Sequence, residues 1–193
     1  MPRGIAVVYS ILSNIDLFNS LEKVLNRSQI YMEHPDTNFV QVWNSIGEAL
    51  EVNKKDVFAL IETGKYVVNF WDSKYDSISI EIYRENENLN NCTIYLDGVD
   101  TDMSFEIFIA LLNLSLENQR IKGFVFDRRE LSEGVNWIEF FTNLEDIRKF
   151  IKQKELEIIF EEKATEKNID FDIDNVYIVV RKLDAMISVL KLR

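Results

Sequence analysis

The middle of the chain alternates apolar and polar residues with a period of two. Residues 77–83 place Ile78, Ile80 and Ile82 between polar neighbours, and residues 92–96 repeat the pattern. An apolar run over residues 65–71 precedes them, and the connections are short and rich in Asp, Asn, Ser and Glu. This alternation predicts an antiparallel meander over residues 65–96, with one buried face and one solvated face.

Apolar residues at helical spacing occur on both sides of the meander. Ser13 or Asn14 is a suitable cap for the first of these segments, and the segment 105–116 is apolar nearly all round, so it is expected to lie across the buried sheet face. The predicted helices cover residues 15–25, 37–50, 54–63, 105–116 and 144–154. The other predicted strands cover residues 5–12, 121–126, 137–141, 155–161 and 171–180, and residues 183–192 form a short helix or strand.

This order of elements predicts the α+β class. We expect a mostly antiparallel sheet, built from the meander and the later strands, with helices packed on one face. No linker rich in Pro or Gly divides the chain. Residues 1–193 are therefore expected to form a single domain, and two subdomains, if present, would meet near residue 100.

The amino-acid composition says more about which partners the protein can bind than about which reaction it could catalyse. The chain has 193 residues, of which 22 are basic and 33 acidic, for a formal net charge of −11. An acidic surface repels phosphate, so neither nucleic acid nor an anionic membrane is an expected partner. The apolar segment 105–116 is shorter than the roughly 20 residues of a membrane span. The start of the chain does not resemble a signal peptide, and a cytoplasmic location is expected.

The chain lacks the residues that several common kinds of catalytic and metal site require. Cys92 is the single cysteine and His34 the single histidine, which excludes an intrachain disulfide, a thiolate zinc cluster and a two-histidine metal motif. The six glycines are too far apart for a phosphate-binding loop, and no cofactor is expected. A nucleophile pair of Cys92 and His34 is formally available, but Cys92 is expected to pack as a small hydrophobe.

One acidic group offers an enzymatic alternative. Asp97, Asp100 and Asp102 follow an apolar strand, where paired carboxylates can hold Mg²⁺ or Mn²⁺. The competing interpretation is that Asp97 belongs to a turn and that Asp100 and Asp102 favour the N-terminus of the next helix.

A second acidic group lies near the C-terminus. Asp170, Asp172 and Asp174 resemble the beginning of a calcium loop, but Asn175 and Arg181 replace the required Gly and Glu. On the predicted strand 171–180 the three Asp would share one face, as an acidic strip for binding or as a solubilising edge.

These observations lead to a protein-binding hypothesis. The solvated sheet face should combine acids with tyrosines, namely Glu81, Tyr83 and Tyr95, with Glu155 and Glu157 as further candidates. Such a surface suits a basic protein partner. In outline the chain resembles small acidic α+β immunity proteins that neutralise bacterial toxins, although no motif identifies a family. The alternatives are a metal-dependent enzyme that uses Asp97, Asp100 and Asp102, and a structural or self-assembling subunit that forms homo-oligomers.

Overall fold

The computed structural model describes residues 4–63, 66–74, 76–132, 134–142, 156–163, 171–181 and 186–192. Within these ranges, four helices and ten strands follow one another in the order β1 (Ile5–Ser10), α1 (Asn14–Arg27), β2 (Val40–Trp43), β3 (Ala49–Val52), α2 (Lys54–Glu62), β4 (Val67–Trp71), β5 (Ser77–Asn86), β6 (Leu89–Tyr95), α3 (Thr101–Glu117), β7 (Ile121–Asp127), α4 (Trp137–Thr142), β8 (Leu156–Lys163), β9 (Val176–Arg181) and β10 (Met186–Leu192). This content confirms the α+β class.

All ten strands belong to one sheet, in the order β3-β2-β4-β5-β6-β1-β7-β9-β10-β8. Each neighbouring pair is antiparallel, and β4, β5 and β6 form the predicted meander. The N-terminal strand β1 lies between β6 and β7, where Val7 is opposite Thr93 on one side and Val125 on the other. Strands from both halves of the chain therefore meet at β1.

Helices α1, α2 and α3 cover one face of this sheet. Ser13 caps α1 by accepting the Asp16 backbone N–H at 3.2 Å, as its sequence position predicts. Of the eight residues predicted to form the core, five are buried in the cluster that also contains apolar residues of α1 and α3, namely Ile78, Ile80, Ile82, Ile94 and Leu96. The side chains of the other three, Leu156, Ile158 and Phe160, lie outside the part of the structure that is described. The period of two in the meander thus identified its buried side correctly.

The opposite face has a smaller core of its own, under α4. Trp137, Phe140 and Phe141 are buried there at spacings of three and four residues, and Asn136 accepts the Glu139 backbone N–H at 3.1 Å. The ring of Phe141 stacks on Tyr9 of β1, with centroids 4.4 Å apart. The prediction of a strand over residues 137–141 was wrong, and α4 differs from the expectation that helices pack on one face only.

Strands β2 and β3 form a hairpin over residues 40–52, so the helix predicted over residues 37–50 was wrong as well. The side chain of Asn44 accepts the backbone N–H groups of Ile46 at 3.1 Å and Glu48 at 2.9 Å. Gly47 adopts φ +79°, a left-handed conformation that glycine adopts at little cost. This local turn, together with burial of Val40 and Val42 on one side of β2, favours a strand over a helix.

The C-terminal third matches the predictions in part. Strand β9 begins at Val176, because residues 172–175 form a turn, and the last segment is strand β10. Strand β8 corresponds to the predicted strand 155–161, and the predicted helix 144–154 lies outside the described residues. Across the described ranges, none of the helices has the length and apolar character needed to span a membrane.

Candidate functional site

The candidate site is the side of strands β2 to β6 that points away from α1, α2 and α3, which we call the outer face. Side chains alternate along a strand, so the neighbours of buried Val42, Val68, Ile80 and Ile94 point to this side. Among the described residues, the smaller core under α4 includes residues of β1, β6, β7, β9 and β10 but none of β2, β4 or β5. The outer face consists of Gln41, Trp43, Ala49, Glu51, Val67, Asn69, Trp71, Ser77, Ser79, Glu81, Tyr83, Asn91, Thr93 and Tyr95.

A row of polar side chains crosses three strands of the outer face. The Asn69 amide nitrogen donates to Gln41 Oε1 at 2.6 Å, and the Ser79 hydroxyl donates to Asn69 Oδ1 at 2.8 Å. Asn69 is only 6% exposed, so without these partners its amide would lose hydrogen bonds to water. The row fixes β2, β4 and β5 side by side and leaves a hydrogen-bonded surface in place of an apolar one.

Glu81 and Tyr95 form the next contact along the face. The Tyr95 hydroxyl donates to Glu81 Oε2 at 2.7 Å, from neighbouring strands in which Glu81 is opposite Thr93 and Tyr95 opposite Ser79. Both side chains are half-buried. A hydrogen bond to a carboxylate is stronger than one between neutral groups, so the ring of Tyr95 and the charge of Glu81 are held in one arrangement.

The charge of Glu81 also affects Cys92, whose side chain lies on the opposite, helix-covered side of the sheet. Burial raises the pKa of the Cys92 thiol, and the negative charge of Glu81 raises it further. Cys92 is fully buried in the helix-side core. Because the thiolate is the nucleophilic form, this environment gives a structural cysteine rather than a reactive one, as expected from the sequence.

Tryptophan is the component of the outer face that the sequence did not reveal. Trp43 is 37% exposed, and Trp71 is half-buried, with its ring edge-on to His34 at a centroid distance of 4.7 Å. Their parity with Gln41 and Asn69 in the register of β2 and β4 was the available signal, and the helix predicted over residues 37–50 concealed it.

Charge on the outer face has one sign. Among the outward positions of β2 to β6 given above, the charged residues are Glu51 and Glu81, and none is Lys or Arg. Trp and Tyr supply contact area at the same positions. The face therefore combines aromatic rings, amides and carboxylates, which together suit contact with cationic groups.

Tyr83 connects the outer face with a cleft of about 650 Å³. The cleft lies between the N-terminus of α1 and the β5–β6 hairpin, and its lining includes Arg84, Glu87 and Asn90. The Arg84 guanidinium donates to the backbone carbonyls of residues 86 and 87, both at 3.1 Å, so it stabilises the hairpin turn. The cleft therefore lies at the margin of the outer face, next to the β5–β6 turn.

The other candidate acids that the structure describes, Asp172, Asp174 and Glu157, do not join this surface. The predicted acidic strip on a strand was wrong, since Asp172 and Asp174 lie in the turn before β9. The Asp174 backbone N–H donates to Asp172 Oδ1 at 3.0 Å, and the Asp174 carboxylate pairs with Arg129 at 2.5 Å. Asp170 and Glu155 lie outside the described residues. Glu157 belongs to β8, at the opposite edge of the sheet from β3.

The Asp97, Asp100 and Asp102 group is arranged around the start of α3. Asp100 is the N-cap and accepts the Met103 backbone N–H at 2.7 Å, while Asp102 is in the first turn. Asp97 precedes them in an exposed turn. In the ranges that the structure covers, no three His, Cys, Asp or Glu side chains are grouped so that they could hold a metal ion.

Comparison of the chain with protein-family models, with curated proteins and with solved structures finds no significant match.

Proposed function

We propose that this chain is a non-enzymatic protein-binding module that binds a basic protein through the outer face. The observation that carries the proposal is the composition of that face: half-buried aromatic residues, hydrogen-bonded amides and two carboxylates, without Lys or Arg at the outward strand positions described.

Short-range contacts would come from the aromatic rings. Trp and Tyr are enriched among residues that dominate binding energies, because each buries a large area with few rotatable bonds. Trp43, Trp71 and Tyr95 lie on three different strands of a rigid sheet, and Tyr95 is held by Glu81. Little side-chain entropy would remain to be lost when a partner covers them.

Long-range attraction would come from the net charge of −11. A field of this sign accelerates encounter with a cationic protein and is screened as salt shortens the Debye length, from about 10 Å at 0.1 M to about 3 Å at 1 M. An inhibitor or immunity-type protein that neutralises a cationic toxin, such as a nuclease, is the form of this function that the acidity favours. Such a protein would cover the toxin's substrate-binding surface and act in the cytoplasm.

The test uses two variants with the same change in net charge. Glu81→Lys/Tyr95→Ala alters the outer face, and Glu106→Lys alters an exposed position of α3 on the helix side of the sheet. Basic proteins captured from the native source by the immobilised wild type are identified by mass spectrometry. The binding of each candidate is then measured with purified proteins between 50 and 500 mM salt.

We expect the partner to bind wild type and Glu106→Lys with similar affinity and to lose about tenfold or more with Glu81→Lys/Tyr95→Ala, as for a loss of two central contacts. Association with wild type should slow as salt increases. Equal binding by all three proteins would reject the outer face as the site, and equal loss in both variants would indicate attraction by net charge alone. Thermal unfolding of each variant verifies that it is folded.

A further inference from the structure

We infer that the free edge of β3 binds an extended basic segment of the partner, which adds to the sheet as an eleventh strand. This inference rests on the proposed function and specifies how the partner's main chain is held. Within the described residues β3 is the last strand at its end of the sheet and pairs with β2 alone.

The phase of the β2–β3 ladder shows which backbone groups of β3 are free. The Asn44 N–H donates to the Glu48 carbonyl at 3.1 Å across the turn, and Val42 is paired with Leu50. Hydrogen-bonded and non-hydrogen-bonded pairs alternate in an antiparallel ladder. Leu50 and Val52 therefore direct their N–H and C=O groups to β2, whereas Ala49 and Glu51 direct theirs outward.

Side-chain exposure shows that this edge is accessible and apolar. Ala49, Leu50 and Glu51 are all exposed. Of the nine large hydrophobic residues exposed in the described chain, four lie between residues 39 and 50, and Ile46 at the hairpin tip is 77% exposed. Clustered apolar exposure beside free backbone groups is the combination used in strand addition, in which main-chain bonds give affinity and side chains give specificity.

Strand β3 has few of the features that keep an edge strand from pairing with another chain. The strand contains no proline, no lysine and no bulge, and its one charged residue is Glu51. Glu48 adds a second carboxylate at the turn. Lys54, which follows the strand, is paired with Glu22 at 2.6 Å and Glu33 at 3.6 Å and so does not neutralise Glu51.

The carboxylates at this edge favour a basic segment over a second copy of the chain as the added strand. Consider a dimer in which two β3 strands pair antiparallel, with Ala49 of each strand opposite Glu51 of the other. The two Glu51 carboxylates would then be diagonal neighbours on one face and would repel each other. A basic residue opposite Glu51 would instead form a cross-strand ion pair. An apolar residue of the same segment would then lie beside Leu50, which shares the helix side with buried Val42.

The probe is a capped seven-residue peptide of alternating lysine and valine, which presents cations on one side and apolar groups on the other. Its control has the same sequence with methyl groups on the backbone nitrogens of the lysines, because the lysine opposite Glu51 is the residue whose N–H faces β3. On the protein, Glu51→Pro removes an outward N–H while leaving the groups that bond to β2. Glu51→Gln removes only the charge, and Glu106→Lys changes the net charge at an exposed position of α3, away from both the edge and the outer face.

We expect the peptide to bind wild type, with perturbed amide resonances at Ala49 and Glu51, and to lose about tenfold in affinity with Glu51→Pro. Glu51→Gln should bind roughly threefold more weakly at low salt only, and the N-methylated peptide should not bind. Glu106→Lys should bind as wild type. The peptide reports on the edge alone, whereas Glu81→Lys/Tyr95→Ala reports on the outer face in the partner assay, so failure of the edge is distinguished from failure of the outer face.

Two results would overturn the inference. One is equal binding of the N-methylated and unmethylated peptides, because main-chain pairing would then play no part, whether or not Glu51→Pro folds. The other is a wild-type dimer, detected by sedimentation, that Glu51→Pro abolishes, because the edge would then belong to a second copy of this chain.

Discussion

Replacement of Asp127 tests how the sheet and α4 are connected. Asp127 ends β7, is only 1% exposed, and its carboxylate accepts four hydrogen bonds from the following loop. Oδ1 accepts the N–H groups of Arg129 at 3.2 Å and Leu131 at 3.0 Å. Oδ2 accepts the backbone N–H of Ser132 at 2.7 Å and its hydroxyl at 2.5 Å. The Ser132 hydroxyl oxygen in turn accepts the Trp137 indole N–H at 3.3 Å, which links the loop to α4.

The expected cost follows from how many donors each substitution leaves unpaired. In Asp127→Asn one oxygen remains for Arg129 and Leu131, and the new amide faces the Ser132 backbone N–H, which can only donate. One buried donor without a partner costs about 1–3 kcal/mol, so we expect the free energy of unfolding to fall by about 2 kcal/mol. Asp127→Ala removes all four bonds and should cost roughly 3–5 kcal/mol.

The assay is urea unfolding followed by circular dichroism, with Asp174→Asn as the matched control. Asp174 bonds to the same loop through Arg129 at 2.5 Å, but its side chain is 50% exposed, so its loss should cost less than about 1 kcal/mol. If Asp127→Asn were as stable as Asp174→Asn, the carboxylate would not organise the loop and the burial argument would be refuted. Hydrogen exchange at residues 129–132 would detect loosening confined to the loop.

Three further predictions concern the core. Ile80→Ala should lower the free energy of unfolding in urea by about 2–5 kcal/mol, and a loss below about 0.5 kcal/mol would mean that the buried side of the meander is misassigned. Gly123→Ala should destabilise more strongly, because at φ +152° its Cβ would lie 2.0 Å from the Val179 carbonyl oxygen, and a variant with wild-type melting temperature would contradict this contact. Burial raises the pKa of Cys92, so the folded state keeps the proton that the unfolded thiol releases above about pH 8.5. Stability should therefore fall with rising pH by about 1.4 kcal/mol per unit more than in Cys92→Ala, and parallel pH profiles would refute it.

The side of the sheet on which part of the candidate site lies was predictable, because it depends only on the alternation of residues within each strand. Glu81 and Tyr83 share one parity in β5, and Tyr95 has the matching parity in β6, so alternation alone placed all three on the solvated side. Glu157 shows the limit of this reasoning. Alternation predicts an outward position for Glu157 as well, but the strand order places β8 at the far edge of the sheet. Strand order is not encoded in local alternation.

The sequence by itself determined the α+β class, the meander and its buried side, because each depends on residues a few positions apart. It also offered Ser13 and Asp100 as helix caps, each beside an alternative that the structure decided. The sequence did not determine the type of secondary structure over residues 37–50 and 137–141, because the apolar pattern there is compatible with both a helix and a strand. Only the tertiary structure decided that β1 joins β6 to β7, that Gln41, Asn69 and Ser79 form one row, and that Trp43 lies beside them. These outcomes depend on pairing between strands distant in the chain, and the free energy that selects such pairs comes from burial and hydrogen bonds formed only once the sheet has closed around its core.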